Sequence, residues 1–596
     1  MSESPRKNGS GLVKLVILSD GSEIDETYRV ISVSILKKVN AIPFAKIILH
    51  DGDLAEADFP ASNSDTFKPG AEIEIKAGYD QDDESVFKGI VVKHGLKISG
   101  DNNTTLVIEC RDKAVKMTIG RNNANFVDSK DSDLISTLIG NHSGLSADVD
   151  ASDTEYKELV QYYCTDWDFM MSRAEVNGRI VIVEDATVSV KKPETSASPE
   201  LKVTYGADLM DFNAEIDART QLKAVKGVAW DPKTQEAVEQ DGASASLNKQ
   251  GDLSSDDLST VVSPDSFRLQ SPVPIEKTGL KAWADAQLLK AGMSMIKGSM
   301  RFQGSAKAKH GGLIELDGVG NRFNGNVFIA SVRHDIADGN WLTEVEFGLS
   351  DAWFSEQKDI AAPPASGFLP GVEGLQIGVV KKLDEDPEGE QKIQVSVPVM
   401  QAETEGVWAR LANFYGSAGI GSFFIPEIGD EVVLGYLNND PCHPIILGSL
   451  YSSKNAPPYE LTADNFIKAI VTKSELKIEF DDEKMITTIE TPGGNKVVLN
   501  DDETSILLSD QNGNTLTLDD SGIALDSPKD ISITATGKVT IDATGELGLT
   551  SKADVKAAGM NIDCEADVGF TGKGSASAEV SASGQLTLKG ATVMIN

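Results

Sequence analysis

Positive charge is what this 596-residue chain lacks most: 55 Lys and Arg stand against 92 Asp and Glu, a formal net charge of −37, and the basic residues form no cluster. A nucleic acid or an anionic membrane surface finds nothing here to hold, so neither is expected as a partner. Cysteine is scarce. Cys110, Cys164, Cys442 and Cys564 are scattered without a CxxC, which excludes zinc spacing and a disulfide scaffold and predicts reduced thiols. Aromatic residues make up 6%; all six Trp fall before residue 409, and after Phe480 only Phe570 remains. No stretch approaches the ~20 apolar residues of a membrane helix. The opening MSESPRKNGSGLVKLVIL carries no signal peptide, since Lys14 breaks its apolar run and no cleavage site follows. Synthesis and assembly in the cytoplasm are expected, with any export independent of a signal peptide.

Catalytic motifs are missing as well. HExxH, GxSxG and a P-loop are absent. Asp166 and Asp168 are paired acids, but positions i and i+2 of a helix point apart, so a structural or capping role is expected. Cys442-His443 is too small a set for a metal and reads as turn filler. The glycine-rich GSAGIGSFF lacks the strand–turn–helix setting of a phosphate loop. No catalytic, metal-ligating or cofactor-binding residue is therefore assigned, and the chain is not expected to be an enzyme.

What is present is repetition. From Asp530 to Ser551 the chain reads DISITATGKVTIDATGELGLTS, with apolar pairs Ile531/Ile533, Val539/Ile541 and Leu547/Leu549 eight residues apart. Ile523/Leu525 precede them; Val555, Met560/Ile562, Val568/Phe570, Ala576/Ala578, Leu586/Leu588 and Val593/Ile595 follow, with a slip in register near 557–560. Two inward residues, polar residues between them and a small corner make one short strand per octad, ~3.3 Å per residue. One octad cannot bury its apolar side alone. Either one chain winds into a three-sided solenoid or three chains each supply one side. The trimer is favoured, because a single chain would complete few turns around a slim core without aromatics. Nine octads at ~4.8 Å then make a rod on the order of 40–50 Å.

Upstream, an internal echo joins residues 69–101 to 311–340. In both an alternating strand ends at Gly (Ile73/Ile75 to Gly78; Ile314/Leu316 to Gly318), and Phe-x-Gly and a His follow (Phe87, Gly89, His94; Phe323, Gly325, His334). Two related small β-barrels are expected. Between them, 132–141 and 165–178 read as helices. The boundaries expected are 1–355 for this region, a Pro- and Gly-rich linker at 356–373, a dense strand-and-turn domain at 374–452, and the β-rich, repetitive 460–596.

Residues 374–451 carry a resemblance. Gly378-Val-Val, Asp386-Pro387-Glu388-Gly389, Trp408-Ala-Arg410, Phe424-Ile-Pro426-Glu-Ile-Gly429-Asp430-Glu-Val, Asp440-Pro441 and Leu447-Gly448-Ser-Leu450 resemble the OB-fold segment of contractile-tail spikes of the type VI secretion VgrG family. Asp166-Trp-Asp-Phe169 upstream and the closing GATVMIN are similar to the family as well, so the likeness covers nearly the whole chain. It implies a mainly β homotrimer: a double β-barrel hub with small α insertions, an OB-fold collar with Gly378, Trp408, Pro426, Gly429, Asp430, Pro441 and Gly448 as structural signature, and a triangular intertwined β-helix needle. The needle core would be Ile523, Leu525, Ile531, Ile533, Val539, Ile541, Leu547 and Leu549. Six barrels per trimer would match a hexameric inner tube. The implied function is a membrane-piercing spike joined to tube and baseplate proteins. Its tip, Val593, Ile595 and Asn596, would be capped by a PAAR-type protein, with effectors delivered into a target cell. The resemblance leaves open a type VI system, an extracellular phage-tail-like particle or a phage tail. A secreted hydrolase with a binding rod would need a catalytic constellation, and a receptor-binding fibre would leave hub and collar unexplained. No room is expected for an inserted lysozyme or terminal effector domain, and without a histidine after His443 no His-x-His iron tip is expected.

Overall fold

Val, Ile and Phe alternating with polar residues dictate strands with one wet face, and strands dominate the molecule. The structure is a computed structural model that describes residues 2–6, 11–80, 82–100, 103–358, 360–401 and 406–595. The chain divides into two compact units, Met1–Leu450 and Tyr451–Asn596.

The first unit is built on a 13-stranded sheet. Its seam is the antiparallel pairing of Val30–Lys38 with Gly325–Ala337, where Val33 faces Ile336 and Ile35 faces His334. On one side of the seam lie Phe44–His50, Thr104–Arg111, Asp82–Ile98, Glu72–Tyr79 and Val13–Ser19. On the other lie Asn340–Phe347, Ile296–Gln303 and Asp211–Ile216, with Leu313–Asp317 and Leu201–Thr204 branching off. Each side wraps its own core: Ile35, Ile47, Ile75, Phe87 and Ile108 in the first, Val203, Phe302, Ile314, Val327 and Val345 in the second. The hub is thus a mainly β double lobe whose two halves share one continuous sheet.

The internal echo holds for the buried pairs and shifts in register. Ile73 and Ile75 pair with Gly89 and Phe87, whereas Leu316 pairs with Gly325 and leaves Phe323 outside the strands. The first hairpin turns tightly between Tyr79 and Asp82; the second spans the loop from Gly318 to Asn324. The longer loop slides the pairing by two residues, which preserves which face is buried because the side-chain period is two.

Helices Asp131–Gly140 and Asp166–Val176 pack Leu134, Leu138, Trp167, Met170 and Met171 against Val181, Val183, Val188 and Val190 in a third core. Two further helices, Ser255–Val262 and Lys277–Met293, were not anticipated. The first carried a readable signal, the capping box in which Ser254 and Asp257 satisfy each other's backbone N–H.

The collar strands Gln376–Lys382, Ile393–Ser396, Val407–Leu411, Pro444–Ser449 and Glu431–Tyr436 close into a barrel. One pairing, Val407–Leu411 with Pro444–Ser449, is parallel. A five-stranded barrel of this kind is the OB arrangement. Val380, Ile393, Val395, Ala409, Val432, Leu434 and Ile446 fill it.

The second unit opens, after residues 451–466, with an antiparallel meander of seven five-residue strands: Ile467–Val471, Lys477–Asp481, Ile486–Glu490, Lys496–Asn500, Ser505–Ser509, Thr515–Asp519 and Gly522–Asp526. Beyond Asp526 the described residues belong to no strand. The chain bends at 528–529, 536–537, 544–545, 552–553, 560, 567–568, 575–576, 583–584 and 591. The eight-residue beat is therefore a physical corner, shortened by a residue around 560.

Candidate functional site: the C-terminal self-association surface

Register decides what the meander presents. Ile470, Ile478, Ile489, Val497, Leu508, Leu516 and Leu525 are successive cross-strand partners, one apolar row across all seven strands. Two residues along, on the same face, runs Lys468, Phe480, Thr487, Leu499, Ile506, Leu518 and Ile523. The opposite face is mixed: Lys477 sits 3.1 Å from Glu490, while Thr488, Val498 and Leu507 are successive cross-strand partners there and Thr488 is buried. A sheet face lined by such an apolar row needs a second layer over it. Within one chain the greasy face stays open: Ile489 is 48% exposed and Leu525 57%.

The octad segment is more extreme. Ile531, Val539 and Leu547 are half-exposed, and their partners Ile533, Ile541 and Leu549 are more exposed still, Ile541 at 67%. No backbone hydrogen bond joins described residues of 527–595 to another segment of the chain. Extended backbone with unpaired N–H and C=O groups beside a regular apolar stripe is half of an interface. Of the two arrangements left open by periodicity, the single-chain solenoid is not formed. Ile523 and Leu525 lie in the last meander strand rather than in the bend-punctuated segment. Val593 and Ile595 are exposed at the end of it. Asn596 lies outside the described residues.

The collar signature residues fall at its structural joints. Glu427, Gly429 and Asp430 form a tight turn: the Asp430 N–H donates to the Glu427 carbonyl at 3.0 Å, and the Glu427 N–H to the Asp430 carboxylate at 2.9 Å. Gly429 has φ +95°, a left-handed conformation that β-branched and bulky residues resist. Pro426 precedes this turn, Trp408 faces Gln394 across the barrel wall, and Gly448 faces Val433. Gly378 lies on the strand facing Val432, and a Cβ there would approach Leu434 Cδ1 at 2.9 Å. Pro441 sits in the turn closed by the His443 N–H donating to the Asp440 carbonyl at 3.0 Å; the Cys442 N–H donates to the Asp440 carboxylate at 2.8 Å.

Asp166 and Asp168 open a helix. Thr165 Oγ1 accepts from the Asp168 N–H at 3.0 Å, the expected N-cap geometry. Asp166 is buried and its carboxylate accepts from Gln161, Asn122 and His142, each at 2.8 Å. Burial alone would raise its pKa; the three hydrogen bonds outweigh it and hold the carboxyl below its ordinary value. Among the described residues no group of three or more His, Cys, Asp or Glu could hold a metal ion.

Two buried histidines lie in the hub, one of them the His334 of the internal echo. Burial, with the Lys37 charge adding to it, pushes His310 down to about 4 and His334 down to about 3. Lys37 reaches Glu184 Oε1 at 3.0 Å, so residues from four distant stretches share this electrostatic neighbourhood. No local pattern announces it.

Family models match three stretches of the chain. Residues 9–338 match the Alg8 N-terminal domain, 376–451 the type VI secretion system/phage-baseplate injector OB domain, and 486–596 the phage baseplate V C-terminal trimerisation domain. Type VI secretion system spike protein VgrG5 of Pseudomonas aeruginosa is 33% identical over 132 residues, covering 20% of this chain and 17% of the relative. The aligned chain thus spans about a sixth of that relative's length. A prophage MuSo2 43 kDa tail protein from Shewanella oneidensis is similar at TM-score 0.44 and 12% identity, covering 57% of this chain and 99% of that one. An E. coli type VI secretion component, described as similar to T4 bacteriophage tail proteins gp27 and gp5, is similar at TM-score 0.38 and 11% identity, covering 73% of this chain and 99% of that one.

Proposed function

We propose that this chain, which belongs to the VgrG-type spike family of contractile injection systems, works as a homotrimer forming the central spike of such a machine. The observation that carries the reading is the exposed apolar stripe of 467–595. Its octads neither pair nor bury themselves within one chain, and residues 486–596 match a trimerisation domain. Three copies wound about one axis remove the open edges and enclose the stripe in a narrow prism. Opening such a rod locally requires breaking contacts from three chains together, which suits an object driven through an envelope.

In this reading the hub joins a hexameric inner tube and baseplate proteins. The exposed Val593 and Ile595 end binds a PAAR-type capping protein, and effectors travel with the spike. The chain itself acts mechanically rather than as an enzyme. It assembles in the cytoplasm and is expelled by the apparatus. A type VI system and an extracellular phage-tail-like particle both fit this mechanism; sheathed particles in a cell-free supernatant would favour the second. Light scattering on the purified full chain should give about three times the 63.6 kDa chain mass. A stable, folded monomer at micromolar concentration refutes the spike.

A further inference from the structure

The connection between hub and collar is folded, and its handedness is unusual. Pro364–Gly367 makes one short turn in which Ala365 has φ 51° and ψ 30°, Ser366 φ 57° and ψ 17°, and Gly367 φ +71°. Three consecutive residues are thus left-handed. L-residues visit that region singly, because Cβ crowds the following carbonyl oxygen, and do not string it into turns on their own. Glycine escapes the cost; Ala365 and Ser366 bear it.

A second left-handed turn faces the first. Asn438 has φ 50° and ψ 33°, and Asn439 φ 59°, between the collar strands Glu431–Tyr436 and Pro444–Ser449. Asparagine tolerates this region better than most residues. The collar also holds this turn itself: the Leu437 N–H donates to the His443 carbonyl at 3.1 Å and the Asp440 N–H to the Leu437 carbonyl at 2.9 Å. Across the contact, Asn438 Nδ2 donates to Ser366 Oγ at 3.1 Å, and the Val372 N–H to the Asn439 carbonyl at 2.8 Å. Ala365 is only 3% exposed, although Pro364, Ser366 and Phe368 around it face solvent. Gly371 lies so close to Pro364 that a Cβ there would overlap the proline ring. Strained backbone persists where its surroundings over-determine it. Here those surroundings are a turn of the collar.

We propose that residues 364–372 form a releasable latch between hub and collar. Backbone strain at Ala365 and Ser366 drives the segment toward release. The two hydrogen bonds and the buried Ala365 methyl hold it closed. Opposed terms of this kind bring a docked and an extended state close enough in free energy to exchange. At 3.3–3.6 Å per residue the released segment reaches about 30 Å. Release therefore gives the collar freedom to move against the hub while neither unfolds. The latch stands on these contacts alone; its use, yielding as the spike is driven forward, rests on the spike reading.

Chymotrypsin on the full-length chain tests it, with amide hydrogen exchange read on the same sample. Phe368 is 87% exposed, but a protease needs its neighbours extended as well, so cutting after Phe368 tracks the released state. Asn438→Gly removes the carboxamide and leaves the left-handed turn unstrained. It should speed that cut and the exchange of the Val372 amide roughly tenfold, the change that 1.4 kcal/mol produces. Amides of Glu431–Tyr436 should exchange as before. Gly367→Ala adds a methyl that meets Pro363 Cγ at an ordinary 3.4 Å, so it acts through strain and should speed Val372 exchange too. Ser366→Asn should slow it, since asparagine accepts left-handed backbone and still offers Asn438 an oxygen. Unchanged rates in all three variants overturn the latch. Acceleration shared equally by Glu431–Tyr436 also overturns it, because the contact then serves the barrel rather than the linker. Light scattering of the same samples reports association separately, so failure of the latch and failure of the spike are read apart.

Discussion

The hub and the rod use the same apolar alphabet and reach opposite outcomes. In the hub Ile35, Ile47, Ile75 and Phe302 are sealed from water; in the rod Ile531, Ile541 and Leu549 are at least half exposed. The difference is layering. The hub sheet curls over two cores and a helical insertion covers a third, so its main apolar faces meet other elements of their own chain. The apolar rows of the meander and the octads stay exposed, because a face without a second layer over it cannot leave water. The comparison teaches that exposure of a regular stripe marks the part of the fold the chain leaves for its copies to complete.

The contrast breaks most sharply at Ile541. Ile541→Asp would bring three carboxylates into a narrow apolar axis, at a cost of several kcal/mol for each unpaired charge. Limited proteolysis should then cut within 527–595 while the tryptophan fluorescence of the hub and collar, which hold all six Trp, stays unchanged. Unaltered protection would refute the inward assignment. The same logic separates the meander's faces: Leu508→Asp should weaken association, whereas Ser509→Asp, on the other face, should not.

A hub cavity tests the reverse. Phe302 is fully buried, and Phe302→Ala should cost about 3–5 kcal/mol in the tryptophan-monitored unfolding of the hub. Trimer mass should persist below that transition; if association fails equally, the two units are not independent.

Acid should distinguish them next. His310 and His334 are held neutral in the fold, with pKa values of about 4 and about 3, whereas in the unfolded chain they protonate near 6.5. The unfolded state therefore takes up protons first as pH falls below about 6.5, and hub stability declines from there toward the folded values. No histidine follows His443, so the rod has no counterpart in the window from pH 7 to 5. Hub melting followed by tryptophan fluorescence should drop across that window, and His310→Asn should flatten the drop.

Gly378→Ala should give the smallest effect. The added Cβ meets the end of the Leu434 side chain, which can shift, so about 1 kcal/mol of collar destabilisation is expected in thermal melts. A loss much larger than that would mean the barrel wall cannot yield there.

Legibility followed sequence distance. The octads were readable because each corner and each apolar pair recurs within eight residues, and the structure bends at that beat. The helix Asp166–Val176 was readable as the stretch 165–178. The slide between the two halves of the hub echo was not, because a loop seven residues long shifts register without changing which residues alternate. Helix Lys277–Met293 was missed, its small apolar residues giving a shallow pattern.

The sequence by itself determined the period of the rod and the apolar pairs of its octads, because these are properties of neighbouring residues and their side-chain chemistry. Only the tertiary structure decided that Ile470 through Leu525 line up in one row, that Val30–Lys38 joins Gly325–Ala337 across nearly three hundred residues, and that Lys37 sits near two buried histidines. Alternation says which way a side chain points, but not which distant strand will lie beside it.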